Sequence, residues 1–229
     1  MKKKYVKAFI DKVLDEEYCL TAKDFETARK LSVSKDELVR TDIACLLALY
    51  ENDISESILY DMTFDKSSLV RVNAVDSIGL GKRKDTFDRV YHLMQYDRVP
   101  LVRSYAVLSQ YDVFEKLADK PFSKESYIGE LINCLNRETR REVRISYYEV
   151  LCCADEKSFF DDIIGCIQKE AETGHFVLLW SLLHSIERLL EKGIIEKSMV
   201  TEKLEPLIQT FPKQQKLFAL ELFQLIDEI

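Results

Sequence analysis

A valine-arginine pair returns along this sequence at a near-regular interval, and this repeat constrains the fold more than any other feature. The four copies are Val39-Arg40, Val70-Arg71, Val102-Arg103 and Val143-Arg144. They are separated by 31, 32 and 41 residues, which is the range in which helical repeats recur. A unit of this size cannot bury its apolar face alone, so the repeat predicts several units stacked on one another.

Each pair lies in a predicted helix. A polar, turn-like segment precedes it, in which Asp36 and Ser67 suit a helix N-cap and Pro100 suits the first helical position. Apolar residues follow at offsets of four, five and eight from the valine, which form one stripe of a 3.6-residue helix. The stripe consists of Ile43, Ala44, Leu47, Ala74, Val75, Ile78, Ala106 and Val107. Residues 54–64 and 86–94 supply second helices, so the pattern predicts an all-α fold.

The polar turn, the Val-Arg pair and the small apolar residue after it resemble HEAT repeats, in particular the short class typified by phycobilin-lyase-type repeats. The resemblance covers residues 34–112 and 137–153, and spacing alone extends it to 176–179 and 215–219. It implies an armadillo-like, right-handed α-solenoid of about 12–14 helices. We therefore predict a single HEAT-like repeat domain over 1–229, with N-terminal capping helices in 1–33 and divergent C-terminal repeats in 175–229.

In HEAT repeats the recurrent arginine commonly packs between units and bonds to the acid of its own or an adjacent turn. Carried over to this chain, the resemblance implies a structural ladder that pairs Arg71 with Asp65 and Arg103 with Asp97.

Composition favours helices joined by short connections. The 229 residues are 47% hydrophobic and include only 6 Gly and 4 Pro. Pro121 breaks the longer interval before the fourth pair, and helical periodicity resumes at Tyr127. We interpret this place as a change in superhelical path or a protruding loop rather than a domain boundary.

The formal net charge of −7 disfavours nucleic acid and an anionic membrane as partners.

The sequence predicts no catalytic centre, cofactor or metal site. Its six cysteines form no C-x-x-C and have no histidine at ligand spacing, and His92, His175 and His184 are isolated from one another. Walker, G-x-S-x-G and H-E-x-x-H sequences are absent. The longest stretch without a charged residue, 173–186, is too short to span a bilayer. We therefore expect a cytoplasmic protein with reduced cysteines and no membrane partner.

A recognition surface is predicted instead. Offsets three and six from the valine lie away from the buried stripe, and in HEAT-like solenoids the second helices line the concave face. The polar and aromatic residues at these offsets are Asp42, Asn73, Asp76, Tyr105, Ser146, Glu149 and Trp180. Their mixture of acids, amides and aromatics suits a protein interface. Alternatively, Tyr105 and Trp180 pack between helices.

The favoured function is a non-catalytic scaffold or interaction module that holds a protein or peptide, with a basic segment of the partner against the acids. Two alternatives stay open. Some HEAT-like proteins of this length are enzymes that excise alkylated DNA bases from a basic groove. The repeat class also includes lyases or chaperones for bilin-type small molecules, which is an analogy at family level alone. The sequence predicts neither the partner's identity nor the oligomeric state.

Overall fold

The computed structural model describes residues 3–14, 20–217, 219 and 220, and within them all regular secondary structure is helical. The predicted all-α class is confirmed. The chain forms two compact units, Met1–Pro121 and Phe122–Ile229, which are described separately below. The division falls at Pro121, where the sequence interrupts its repeat. Cys19, and Phe218 of the predicted copy at 215–219, lie outside the described residues.

Seven α-helices lie in the described part of the first unit: α1 (Lys3–Val13), α2 (Ala22–Leu31), α3 (Glu37–Leu47), α4 (Asp53–Met62), α5 (Ser68–Ser77), α6 (Lys84–Tyr96) and α7 (Pro100–Lys116). A 3-10 turn at Ile78–Leu80 continues α5. Helices α3, α5 and α7 pack side by side in one layer, and α2, α4 and α6 pack in the other. Helix α1 packs against α3.

The core of the first unit lies between these two layers. The stripe predicted from the sequence is buried in all three copies, with Ile43, Ala74 and Ala106 fully inaccessible. Because Ala74 and Ala106 have short side chains, neighbouring helices can approach one another closely. Phe87 of α6 packs on Phe114 of α7, with ring centroids 6.1 Å apart. Burial of each such large apolar side chain contributes about 1.5–3 kcal/mol relative to exposure.

Polar residues determine where the helices of the first unit begin. Asp36 accepts a hydrogen bond from the Leu38 N–H at 3.1 Å and so caps α3. Ser67 occupies the N-cap position of α5, as predicted, but its side chain makes no capping bond. Asp65 accepts the Ser67 N–H instead, at 2.8 Å. Pro100 begins α7 without losing an intrahelical hydrogen bond, since the first N–H groups of a helix have no partner there.

The arginines of the first two Val-Arg pairs link successive repeats. Arg40 donates through Nε and Nη2 to the two carboxylate oxygens of Asp65, at 2.6 and 2.9 Å. Arg71 donates in the same way to Asp97, at 2.8 and 3.0 Å. Each arginine therefore makes a two-pronged ion pair with the turn of the next unit. Both pairs are nearly inaccessible to water, so the charges depend on each other for solvation.

The arginine of every Val-Arg pair also bonds to the turn of its own repeat. In all four copies, Nη1 donates to the main-chain carbonyl oxygen of the residue six positions earlier. The four acceptors are Ser34, Asp65, Asp97 and Glu138, at 2.7, 2.9, 2.9 and 3.1 Å. The side chain of each acceptor residue accepts the N–H two residues further on. We call this turn contact, together with the ion pair that Arg40 and Arg71 make with the next turn, the arginine clasp.

The clasp revises the ladder implied by the resemblance to HEAT repeats. Arg71 bonds to Asp65 only through its main-chain carbonyl, and its carboxylate partner is Asp97 of the following turn. Arg103 likewise bonds to the carbonyl oxygen of Asp97. The Asp97 carboxylate is already bound by Arg71. Each ion pair therefore joins an arginine to the acid of the next repeat and not to the acid of its own turn.

The helices of the second unit include α8 (Lys124–Arg137), α9 (Arg141–Cys153), α10 (Phe159–Thr173), α11 (Phe176–Glu191) and α12 (Lys197–Thr210), and residues 213–217 are also helical. Helices α9 and α11 pack side by side, α10 packs on both of them, and α12 packs on α10. Gly174 ends α10 with a positive φ of 73°, a conformation that favours glycine because it lacks a Cβ atom. Two buried carboxylates brace this unit. Glu149 accepts from Arg188, and Glu170 accepts from Arg141.

Replacement of Arg71 by alanine should reveal the strength of the clasp. Arg71→Ala leaves the Asp97 carboxylate, 6% exposed, without its ionic partner, and we expect unfolding to become easier by about 3 kcal/mol. Urea denaturation measures the change. The control is Lys82→Ala, which removes an exposed ion pair with Glu51 and should have a much smaller effect. Equal losses in the two variants would contradict a stabilising clasp.

Candidate partner-binding surface

The layer formed by α3, α5 and α7 presents a grid of side chains on the side away from the core. In each of the three helices, the residue before the repeat valine and the residues at offsets three and six from it point the same way, since they are one and two helical turns apart. The nine residues of this α3–α5–α7 face are Leu38, Asp42, Cys45, Leu69, Asn73, Asp76, Leu101, Tyr105 and Leu108. The repeat intervals of 31 and 32 residues place them in three rows of three across the helices.

The first row is apolar and open to solvent. Leu38, Leu69 and Leu101 directly precede the three valines, and they are 60%, 43% and 51% exposed. In contrast, Val70 and Val102 beside them are completely buried. These three leucines occupy equivalent positions and add little to the core.

The second and third rows carry most of the polar groups. Asp42 and Asp76 are exposed, whereas Asn73 and Tyr105 are half-buried. The Cys45 thiol donates to the Asn73 amide oxygen at 3.1 Å, and the Asn73 amide nitrogen donates to the Leu69 carbonyl at 2.8 Å. The first bond joins α3 to α5 at the middle of the face, and the second holds the Asn73 side chain against its own helix. The two acids therefore lie on either side of a fixed Cys45–Asn73 contact.

The electrostatics of this face are acidic. Burial raises the pKa of the Cys45 thiol, and the negative charges of Asp42 and Asp76 raise it further. The thiol therefore stays protonated at neutral pH and is a poor nucleophile. Partial desolvation also raises the pKa of the Asp42 carboxyl, with a smaller contribution from Asp36. The desolvation has a visible source, since Asp42 borders a groove between α1 and α3 that Val6 and Ile10 also line.

Four of the seven residues predicted from the sequence lie on this face: Asp42, Asn73, Asp76 and Tyr105. The other three belong to the second unit. Trp180 of α11 is 46% exposed and lies against His184, with ring centroids 4.1 Å apart.

Ser146 and Glu149 do not reach a surface. Their side chains lie in α9 and are only 4% and 3% exposed. Helix α11 packs on α9, and Arg188 of α11 donates to both carboxylate oxygens of Glu149, at 2.8 and 2.7 Å. The structure therefore corrects the sequence-based placement of these two residues at a binding surface. Their polar groups serve packing within the second unit.

Sequence reasoning missed the apolar half of the grid. Cys45 and Leu108 occupy the same offset as Asp76, but the predicted surface included only polar and aromatic residues. Leu38, Leu69 and Leu101 were overlooked as well. A usable signal was present, since a leucine precedes the Val-Arg pair in three successive copies.

A small cavity in the first unit is used for structure. A cavity of about 70 Å³ is lined by the ends of α3 and α4 and by the 3-10 turn. Glu56 lies at its edge and accepts hydrogen bonds from the Lys82 and Arg83 N–H groups and the Thr86 hydroxyl. This carboxylate fixes the connection that leads into α6. The cavity is much smaller than the roughly 300 Å³ at which small-molecule pockets begin.

Three His, Cys, Asp or Glu side chains that could share a metal ion do not occur together among the described residues. None of the helices described is both long and apolar enough to cross a membrane. Comparison with models of known protein families gives no match for this chain, and comparison with curated proteins finds no significant relative.

Asp42 should make the folded protein less stable at neutral pH. Because folding raises its pKa, ionisation of Asp42 costs stability above that pKa, and the cost disappears once the group is protonated in both states. Asp42→Asn is therefore expected to unfold at a higher temperature than the native chain at pH 7, and at the same temperature near about pH 3.

Calorimetry at the two pH values measures the difference, with Asp119→Asn in the exposed connection after α7 as the matched control. A lower unfolding temperature for Asp42→Asn at pH 7 would contradict the assigned electrostatics.

Proposed function

We propose that this chain is a non-catalytic, cytoplasmic interaction module whose α3–α5–α7 face binds a basic, amphipathic segment of a partner protein. The observation that carries this proposal is the grid itself. It sets a row of three exposed leucines beside rows that contain Asp42 and Asp76. Apolar contact would supply affinity, and the acids would orient and accelerate the approach of a basic partner.

The spacing of the grid suggests the form of the partner segment. Packed helices lie about 8–10 Å apart, so Leu38, Leu69 and Leu101 recur at about that interval across the layer. A partner helix that crosses the three helices advances about 10 Å in seven residues. One apolar side chain per seven residues would thus meet each leucine in turn. Lysine or arginine beside that apolar stripe would meet Asp42 and Asp76.

The same proposal includes the architecture. We assign the repeats to a HEAT-like, right-handed α-solenoid, for which the alternating helix layers of each unit and the four copies of the arginine clasp are the support. The cytoplasmic location is supported by the five described cysteines, all of which are free thiols. Burial raises the pKa of Cys152 to about 12, so that thiol is inert.

The other two functions have less support. Excision of a DNA base would need a cationic groove, but the ionised side chains of the α3–α5–α7 face are acids. A bilin-type lyase or chaperone would rest on the resemblance to its repeat class alone. We therefore propose neither.

A designed peptide can test the face without knowledge of the natural partner. The probe is a helical peptide with leucine at every seventh position and lysine beside it, and its control has the same composition in scrambled order. We expect the native chain to bind the patterned peptide about tenfold more tightly, because three leucine contacts at about 0.5 kcal/mol each are lost on scrambling. Isothermal titration calorimetry measures both affinities.

Matched variants locate the contact. Asp76→Lys should weaken binding and reduce its salt dependence, whereas the same charge change in Asp119→Lys, outside the face, should have little effect. Leu69→Ser should weaken binding without changing the salt dependence. Trp180→Ala tests separately whether the second unit contributes to peptide binding. Equal affinity for the two peptides, or equal effects of the two lysine substitutions, would exclude this face, and turnover of a substrate by the purified chain would overturn the non-catalytic assignment.

A further inference from the structure

The α4–α6 surface, in the other helix layer of the first unit, has a different chemistry. Phe64, just after α4, and Tyr96, at the end of α6, are 57% and 68% exposed. The guanidinium carbon of Arg89 lies 3.7 Å from the centroid of the Phe64 ring, which is a close cation–π contact. His92 follows Arg89 by one turn of α6 and packs against Tyr96, with ring centroids 5.1 Å apart. One cation thus lies against an exposed aromatic ring, and a second exposed ring lies about two turns further along α6.

One edge of the Arg89 guanidinium is fixed by the end of α4. Its Nε donates to the Thr63 hydroxyl at 3.0 Å, and its Nη2 donates to the Thr63 carbonyl at 2.7 Å. These two bonds and the Phe64 ring hold the group in one orientation. Arginine has five N–H donors, so three of them remain, on Nη1 and on the outer side of Nη2. None of these three has a partner among the described residues. Together they form the outer edge of the fork, which matches the two oxygens of a carboxylate.

The acids near Arg89 are already neutralised by other cations. Asp97 is bound by Arg71, and three further acids on α4 and α6 have partners of their own. These pairs are Asp61 with Arg29, Asp85 with Arg83, and Asp88 with Lys84. Arg89 has no carboxylate within hydrogen-bond distance among the described residues. Desolvation lowers the pKa of Arg89, and the negative charge of Asp97 offsets this only in part.

We propose that the outer edge of Arg89 binds a carboxylate from an acidic segment of a partner protein, with an apolar side chain of the same segment against Phe64 and Tyr96. The inference is independent of the α3–α5–α7 face, because it uses other helices and the opposite charge. A protein carboxylate fits better than nucleic acid. A phosphate backbone needs several uncompensated cations in a line, whereas Arg83 and Lys84 at the start of α6 already pair with Asp85 and Asp88.

A short fluorescent peptide tests the site. It carries one glutamate flanked by phenylalanines among serines and glycines, and its partner probe has glutamine in place of the glutamate. Fluorescence anisotropy of the full chain should show tighter binding of the glutamate peptide. Arg89→Lys, which keeps the charge but loses the two-pronged geometry, should weaken that binding about tenfold. Arg98→Gln, which alters an exposed arginine in the connection after α6, is the matched control and should leave the affinity unchanged.

A spectroscopic readout guards against loss of folding in the variants. In the native chain, titration with the glutamate peptide should shift the NMR signals of the Arg89 Nε–H and the Phe64 ring. Binding lost in Arg89→Lys, kept in Arg98→Gln and accompanied by these shifts supports the site. Equal binding of the glutamine peptide, tighter binding of oligothymidylate, or shifts confined to other residues would overturn it.

Discussion

The arginine clasp is the interaction on which the rest of the first unit depends. A buried guanidinium is tolerated only where its donors are satisfied, and Arg40 and Arg71 each satisfy theirs with main-chain carbonyl oxygen of their own turn and one carboxylate of the next turn. Since the carboxylate belongs to the following unit, the clasp sets the register between neighbouring helices as well as the shape of a turn. That register aligns Leu38, Leu69 and Leu101 in one row, although none of them takes part in the clasp.

Sequence reasoning succeeded where a residue's environment repeats. The stripe that contains Ile43, Ala74 and Ala106 faces the same neighbours in each unit, so its periodicity was enough to predict burial. It failed where the neighbour changes. Glu149 has the same offset as Asp76, yet α11 covers α9 and supplies Arg188 as an ionic partner. The offset from the valine predicts on which side of a helix a residue lies. Whether that side is exposed to solvent depends on the helices that pack against it.

The clasp also shows why the partner in an ion pair is difficult to read from sequence. Asp65 and Asp97 occupy equivalent turns, and either could serve Arg71 by spacing alone. Geometry separates them, because the main-chain carbonyl of Asp65 takes Nη1 while its carboxylate is already bound by Arg40. Each acid is therefore committed to the arginine before it in the chain.

The alternation of helices explains how one small unit can present two unlike surfaces. Each hairpin contributes one helix to the α3–α5–α7 layer and one to the α2–α4–α6 layer, and the core between them accepts apolar side chains from both. The outward residues of the two layers are then free to differ, because neither set enters the core. Asp42 and Asp76 give one layer an acidic centre, whereas Arg89 gives the other an uncompensated cation. Arg89 also holds the end of α4 through Thr63, so the same side chain contributes to folding and offers its outer edge to a partner.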